Sequence, residues 1–298
     1  MPKIIVTEDE KDIRIDNFLA QKTDISRSKI QSLIKEHQVT VNGNYEKSSY
    51  KVQINDEVEY KYILEEKHLK PEKIDLDIIY EDEDILVINK PNGLVVHPAP
   101  GNYQHTLANA LSYYASNLSN INGEFRPGIV HRIDAFTTGL LVVAKNNKIH
   151  EILAAMIAKK EIKRTYIALV WGIIKEDTGT IDAPIGRDLK DRKKMAVVAS
   201  GKPAITHFKV LERFKNATLL EITLETGRTH QIRVHMNYIN HPIVNDPTYG
   251  NHSLIDDSGQ MLHAKYLDFI HPKTKEKMHF EAELPEKFTN ILNKFKEV

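Results

Sequence analysis

The sequence predicts an α+β fold, a mixed and mostly antiparallel sheet with a few helices, preceded by a small unit of its own. Three observations predict it. The 298 residues are long for one compact domain and suit a large domain plus a small one. Stretches such as THFKVLERF and ATLLEITLET alternate apolar and polar residues between short turns, as antiparallel strands do. Apolar residues make up 41% of the chain, enough for a sizeable core.

Composition narrows the function classes. The absence of cysteine excludes disulfides, thiolate metal sites and cysteine nucleophiles, and fits a reducing cytoplasm. The charged opening MPKIIVTEDEKDIRID lacks the apolar stretch of a signal peptide. No later run approaches the roughly 20 apolar residues of a membrane span. A soluble, cytoplasmic protein with no membrane partner is expected. Lys plus Arg equals Asp plus Glu, 41 against 41, so local patches rather than total charge must reveal any nucleic-acid partner.

Residues 1–65 form the first expected unit. Ser26 is placed to cap the helix SRSKIQSLIKEH, whose Ile30, Leu33 and Ile34 share a face. Arg27, Lys29 and Lys35 lie along it; on charge alone they mark a solvated amphipathic helix. VTVNG is a short strand running into Asn42-Gly43, a hairpin signal, and DEVEY at 56–60 is the next strand. Residues 66–74, in a charged stretch with Pro71, are the expected linker. The second unit covers 75–298, with ILVINKP at 85–91 as its first clear strand and NKPNGLVVHPAPG as the loop after it. KIHEILAAMIAKKEI spaces Ile149, Ile152, Leu153, Met156 and Ile157 as a helix does. RTYIALVWG is a buried strand, RDLKDRKK at 187–194 a basic loop, and ETGR a turn. THQIRVHMNYI is a helix on which His230, Arg233 and Asn237 share a face, and HAKYLDFIHP and EKMHFEAEL are the last strands.

One stretch stands out chemically. GIVHRIDAFTTGLLVVAKN at 128–146 sets His131, Arg132 and Asp134 between Ile129 and Val130 on one side and Leu140 to Val143 on the other. The polar trio is therefore expected within the core. A carboxylate sunk among apolar residues needs compensation for its lost hydration. Arg132 can supply it, as can Arg228 or Arg233 in TGRTHQIRVH, one holding Asp134 while another meets phosphate or substrate. An inert buried ion pair fits the same spacing. Other chemistries fit worse. His230 and His235 are five apart with no acidic residue between them, which argues against a metal site. No Gly-rich phosphate loop follows a strand. Glycoside hydrolysis wants two carboxylates, whereas one Asp among Arg and His favours a single carboxylate acting as nucleophile or base.

At these residues the chain resembles the RluA-type pseudouridine synthases, the family that includes RluC and RluD. HRID at 131–134 is similar to the catalytic HRLD of that family, and TTGLLVVAKN to its Thr-Ser-Gly-Leu-Leu segment. The resemblance continues in order through NKPNGLVVHP, KRTYIALVWG, RKKMAVVASGKPAITHFKVL, LETGRTHQIRVH and LHAKYLDFIHPKT, essentially the whole second unit. The first unit resembles the small αL RNA-binding domain of ribosomal protein S-four.

The resemblance implies a catalytic domain with a central RNA cleft, no cofactor and no metal. It implies a monomer that isomerises uridine to pseudouridine in RNA. The domain pairing is most similar to enzymes of large-subunit ribosomal RNA or pre-ribosomal particles. A transfer RNA target, a non-catalytic RNA-binding or ribosome-assembly protein, and an RNA glycosylase stay open. Carried over by position, Asp134 is the essential aspartate, which attacks the anomeric carbon or removes a sugar proton. Tyr166 packs on the base, and Arg233 pairs with the aspartate. Arg132 enters the helix as the nucleotide flips out, while Arg228 and His131 bind substrate. Arg27, Lys29 and Lys35, with Arg192, Lys193 and Lys194, become phosphate contacts. Ile133 replaces the usual Leu at little cost, and Thr138 replaces Ser. Ala135 and Phe136 stand where a Lys and an Asp are common, which alters contacts to RNA.

Overall fold

The chain folds as two units, Met1–Lys67 and His68–Val298. This computed structural model describes residues 2–61, 69–99, 102–115, 118–121, 123, 126–250 and 254–296. The linker expected at 66–74 lies partly outside them.

The first unit contains β1 (Lys3–Ile5), α1 (Ile15–Lys22), α2 (Arg27–Lys35), β2 (Val39–Val41) and β3 (Glu57–Tyr60). Its strands pair antiparallel in the order β1-β3-β2. The Ser26 side chain accepts the Lys29 N–H, so the expected cap is present, and Ile30, Leu33 and Ile34 pack on Phe18 and Leu19 of α1. Asn42-Gly43 does turn the chain, closing a bridge between Val41 and Asn44, but the partner strand comes only after residues 44–56. The expected tight hairpin is thus a long one. Asp56 folds its loop by accepting from Asn42 Nδ2 at 2.8 Å, the Tyr50 hydroxyl at 2.9 Å and Gln53 N at 2.7 Å.

The second unit runs β4 (Asp77–Glu81), β5 (Ile85–Lys90), α3 (Leu107–Tyr114), β6 (Thr138–Ala144), α4 (Asn147–Ala158), β7 (Lys163–Trp171), β8 (Thr178–Asp182), β9 (Ile185–Arg187) and β10 (Met195–Val197). It continues with β11 (Ile205–Arg213), β12 (Ala217–Leu224), α5 (Gln231–Tyr238), β13 (Leu262–Ile270), β14 (Lys277–Glu281) and α6 (Glu286–Lys296). The main sheet has the order β4-β5-β6-β13-β7-β12-β11-β8, with β14 also paired to β13 and β9 pairing β10 apart from it. Among the described strands, β6 and β13 are the one pair that runs parallel, so the sheet is mixed and mostly antiparallel, as the sequence predicts. The strand β4 precedes the one expected to come first. Its exposed face is acidic and its other face only half-buried, as suits the sheet edge.

The strand β6 carries the site, and its sequence explains why it is rigid. All seven residues of TGLLVVA are buried, Leu141 and Val143 in one core cluster, Leu140 and Val142 in the other. The helix α4 covers the second cluster with Ile149, Leu153 and Met156. The parallel joint requires glycine: Gly139 has φ +105°, and a Cβ there would lie 2.2 Å from the Ala264 carbonyl oxygen. His263 pins the joint, bonded to Thr138 Oγ1 at 2.7 Å and to the Ala282 carbonyl at 3.1 Å. Among the described residues, no helix is long and apolar enough to cross a membrane.

Candidate active site

The loop entering β6 buries its polar trio only in part. Ile133 turns into the core and the His131 ring is enclosed, while Arg132 is exposed and Asp134 half-buried. Alternation along an extended segment separates them, and the polar pair opens on a cavity of about 520 Å³. Its turn into β6 is fixed where Thr137 N donates to the Asp134 carbonyl at 3.1 Å and Gln260 Nε2 donates to Thr137 Oγ1 at 3.0 Å. Beneath it lies Lys90, a fully buried side chain within the NKPNG stretch that sequence reasoning did not single out. Its ammonium donates to the carbonyls of Pro91 at 2.8 Å, Leu94 at 2.9 Å and Ala135 at 2.7 Å, using all three N–H bonds. Burial pushes its pKa down to about 7, against the pull of Asp134. Ala135 thus contributes its carbonyl. Phe136 packs over Gly259, where a Cβ would fall 2.4 Å from the Phe136 Cβ. These contacts are what the two unusual residues do in this structure.

Asp134 is held from α5. Arg233 Nη1 donates to Asp134 Oδ2 at 2.9 Å, while Arg233 Nε and Nη2 grip both oxygens of the buried Asp246 at 2.7 and 2.8 Å. Burial alone would lower the Arg233 pKa, but Asp246 and Asp134 more than offset it, so the guanidinium stays charged. Asp246 in turn accepts from Thr248 N and Tyr249 N, and these bonds with Arg233 outweigh burial to keep its carboxyl low. Arg233 also lies over the Tyr249 ring, 5.1 Å from its centroid. Asp246 and Tyr249, from NDPTYG, were missed because nothing local marks them; their partners come from a helix earlier in the chain.

Of the three residues expected on one face, His230 and Arg233 both face Asp134, and Asn237 is turned elsewhere. His230 is the cap of α5 at φ +56°, outside the helix, and its Nε2 lies 3.9 Å from Asp134 Oδ1. Asn237 lines a separate pocket with Lys194, Met195 and Tyr238. Arg132 does not compensate Asp134 by a hydrogen bond; its Nη1 donates to His97 Nε2 at 2.9 Å. Burial, then Arg132 and Arg126, push His97 down to about 4, so the neutral ring has the lone pair to accept. Tyr166 on β7 is buried in the cavity wall, and burial pushes its phenol up. His131 lines the cavity, yet its Nε2 accepts the Val142 N–H at 3.1 Å, and burial, followed by Arg164, lowers it to about 3. Arg228 lines the rim and donates to the Pro203 carbonyl at 2.9 Å.

The cavity is electropositive: Arg126, Arg132, Lys160, Arg164, Arg228 and Arg233 line it against Asp134 and Glu225. Arg192 and Lys193 are exposed on the loop between β9 and β10, with Lys194 half-buried beside them. Arg27, Lys29 and Lys35 are exposed on α2, where Arg27 also donates to the buried Asp16 at 3.1 Å. His235 is bonded to Thr206 Oγ1 and the Ala183 carbonyl, so it forms no pair with His230. Among the described residues, Asp82, Asp84 and His271 bring metal-type ligand atoms within 4.8 Å of one another. The donor set does not suit an ion. His271 Nδ1 accepts from Lys273 N and Thr274 N, which puts its proton on Nε2, and that nitrogen faces Asp82 with no lone pair to give.

Asp134, clamped through one oxygen by the Arg233 guanidinium with its other oxygen accepting no hydrogen bond from the described residues, stands in a cavity lined mostly by cations, an arrangement that suits carboxylate chemistry on a polyanion. Comparison with known proteins makes the class specific. Residues 84–238, just over half the chain, match the RNA pseudouridylate synthase family, and residues 13–58 match the S4 domain. The chain is 53% identical to the uncharacterized RNA pseudouridine synthase YlyB of Bacillus subtilis (strain 168), over 97% of this chain and 96% of that protein. It is 42% identical to ribosomal large subunit pseudouridine synthase D of Pseudomonas aeruginosa, over 94% and 91%. The solved structure of human RNA pseudouridylate synthase domain containing 1 superposes with a TM-score of 0.58 at 26% identity, covering 75% of this chain and 96% of that one. The chain belongs to the RNA pseudouridylate synthase family and is an RNA pseudouridine synthase.

Proposed function

We propose that this enzyme isomerises specific uridines of large-subunit ribosomal RNA, as a cytoplasmic monomer, with Asp134 as the catalytic carboxylate. The observation that carries the reading is the asymmetry of Asp134. Oδ2 is held by Arg233 at 2.9 Å, and Oδ1 accepts no hydrogen bond from the described residues. A carboxylate fixed by one oxygen presents the other in a defined direction, which suits attack at C1′ of the ribose and removal of the C2′ proton alike. In either route the N1–C1′ bond breaks, the uracil turns, and a C5–C1′ bond forms. C5 loses a proton and N1 ends with one, so substrate and product have the same composition.

Tyr166 forms the wall against which the base turns, its raised phenol remaining protonated at neutral pH. Arg132, exposed at the cavity mouth and tethered to a neutral His97, is placed to fill the gap left by the flipped nucleotide. The ribosomal assignment rests on the names of relatives such as the Pseudomonas aeruginosa enzyme and on the S4 domain.

Tritium release from carbon-five-labelled uridine tests the chemistry, and pseudouridine mapping of RNA from cells with and without the gene tests the RNA class. Wild-type enzyme should release tritium and leave the RNA mass unchanged. An abasic product of lower mass would mark a glycosylase, and a missing pseudouridine in transfer RNA alone would move the substrate class.

A further inference from the structure

His230 touches Asp134 through neither a hydrogen bond nor a close ion pair, and that gap is informative. Its Nδ1 lies 2.8 Å from the Tyr249 hydroxyl. This hydroxyl already accepts the Met195 N–H at 3.0 Å, in a side chain that is buried. Among the described residues the acceptor its own proton meets is His230 Nδ1. The neutral ring must then carry its proton on Nε2, the nitrogen that faces Asp134 Oδ1 across 3.9 Å. Burial, the largest influence on the ring, pushes its pKa below the usual histidine range, so this neutral tautomer is the one present at pH 7.

An N–H donor and a carboxylate acceptor therefore face each other across a space that admits one oxygen at hydrogen-bond distance from both. The group that fits must accept from one side and donate to the other. A hydroxyl does both with a single atom. The uracil carbonyls only accept and its N–H only donates; the carboxylate that reaches the sugar cannot also pair with the base edge. The ribose offers one hydroxyl on the carbon next to C1′.

We infer that His230 and Asp134 together bind the 2′-hydroxyl of the target nucleotide, so that His230 makes the enzyme select ribose over deoxyribose at the reacting residue. The inference rests on the role proposed for Asp134, which brings C1′ to this point. Tyr249 is a positioning residue, fixing the tautomer that donates. The 2′-hydroxyl is the group by which a protein tells RNA from DNA, and here it would be read beside the bond that breaks.

The test uses full-length enzyme and two versions of one RNA stem-loop that the wild type modifies. One carries uridine at the target position and the other 2′-deoxyuridine, and kcat/KM is measured for each. For wild type, the deoxy substitution should cost about 10- to 100-fold, the loss of a hydrogen bond that leaves buried groups unpaired. For His230→Ala, the ribose substrate should lose a comparable factor, and the deoxy substitution should cost clearly less than in wild type, only the share that Asp134 still supplies. Tyr249→Phe keeps the imidazole but frees its tautomer, and should shrink the ribose preference. His230→Gln, which places an N–H near the same point, should restore part of it. Thermal melting separates these effects from misfolding. A folded His230→Ala or Tyr249→Phe enzyme with the wild-type preference overturns the inference, as does a wild type indifferent to the 2′-hydroxyl. Turnover by Asp134→Asn would instead overturn the proposed role of the carboxylate, a separate result.

Discussion

At the scale of single residues, the site is a chain of charges in which each member answers the next: Asp246 to Arg233 to Asp134. Removing the middle member should do the most damage. Arg233→Ala leaves Asp246 buried without its partner, a loss of about 3–5 kcal/mol, and frees the Asp134 carboxylate to rotate. Urea unfolding and tritium release should fall together; loss of activity at unchanged stability would contradict the buried-pair account. Acid should act through three other residues. His97, His131 and His263 have folded pKa values of about 4, 3 and 4, each lowered by burial from 6.5. Below about pH 6.5 the unfolded chain takes up protons that the folded one refuses. The stability these rings contribute is therefore complete above 6.5 and is lost as pH falls toward 4 and then 3, at about 1.4 kcal/mol per pH unit for each. The urea midpoint should drop between pH 7 and pH 5, and His263→Gln should flatten that drop. Asp134 and Arg233 were legible because they lie in recognisable motifs. Lys90 and Asp246 were not, since what makes them matter is three carbonyls and a guanidinium brought together only by folding.

At the scale of elements, β6 is the part on which the site depends. Alternation marked β11 and β12, whose two faces differ in burial, while β5 and β7 were legible as apolar runs because they are buried on both faces. It failed for β4, an edge strand with an acidic outer face, and it placed His230 on a helix that starts one residue later. The joint between β6 and β13 was also invisible in sequence, since a parallel pair of so few residues has no local signature. Gly139→Ala should expose its importance. The added Cβ meets the Ala264 carbonyl, a backbone atom that cannot step aside, at a φ that alanine resists. A loss of more than ~2 kcal/mol in thermal or urea unfolding is expected, with tritium release falling in proportion to the folded fraction. A variant as stable as the wild type would show that the strands can separate without cost.

At the scale of the whole molecule, a chain with no net charge binds a polyanion by distributing its charge. Cations line the cavity, and others stand exposed on α2 and on the loop between β9 and β10. Lys35→Glu and Lys193→Glu should each weaken RNA binding and lower the salt dependence of affinity by about one phosphate contact, leaving kcat unchanged. Arg27→Ala should behave differently, because its guanidinium is shared with the buried Asp16. It should destabilise the first unit more than it changes the salt slope. Filter binding across a salt series separates the two outcomes, and an Arg27 variant indistinguishable from the Lys35 variant would argue against the distinction. The most direct measurement remains tritium release from carbon-five-labelled large-subunit ribosomal RNA by wild type and by Asp134→Asn. Release by the wild type and none by Asp134→Asn, with RNA binding retained, is the expected result. Release by Asp134→Asn at the wild-type rate would contradict the assignment of Asp134 as the carboxylate that breaks the glycosidic bond.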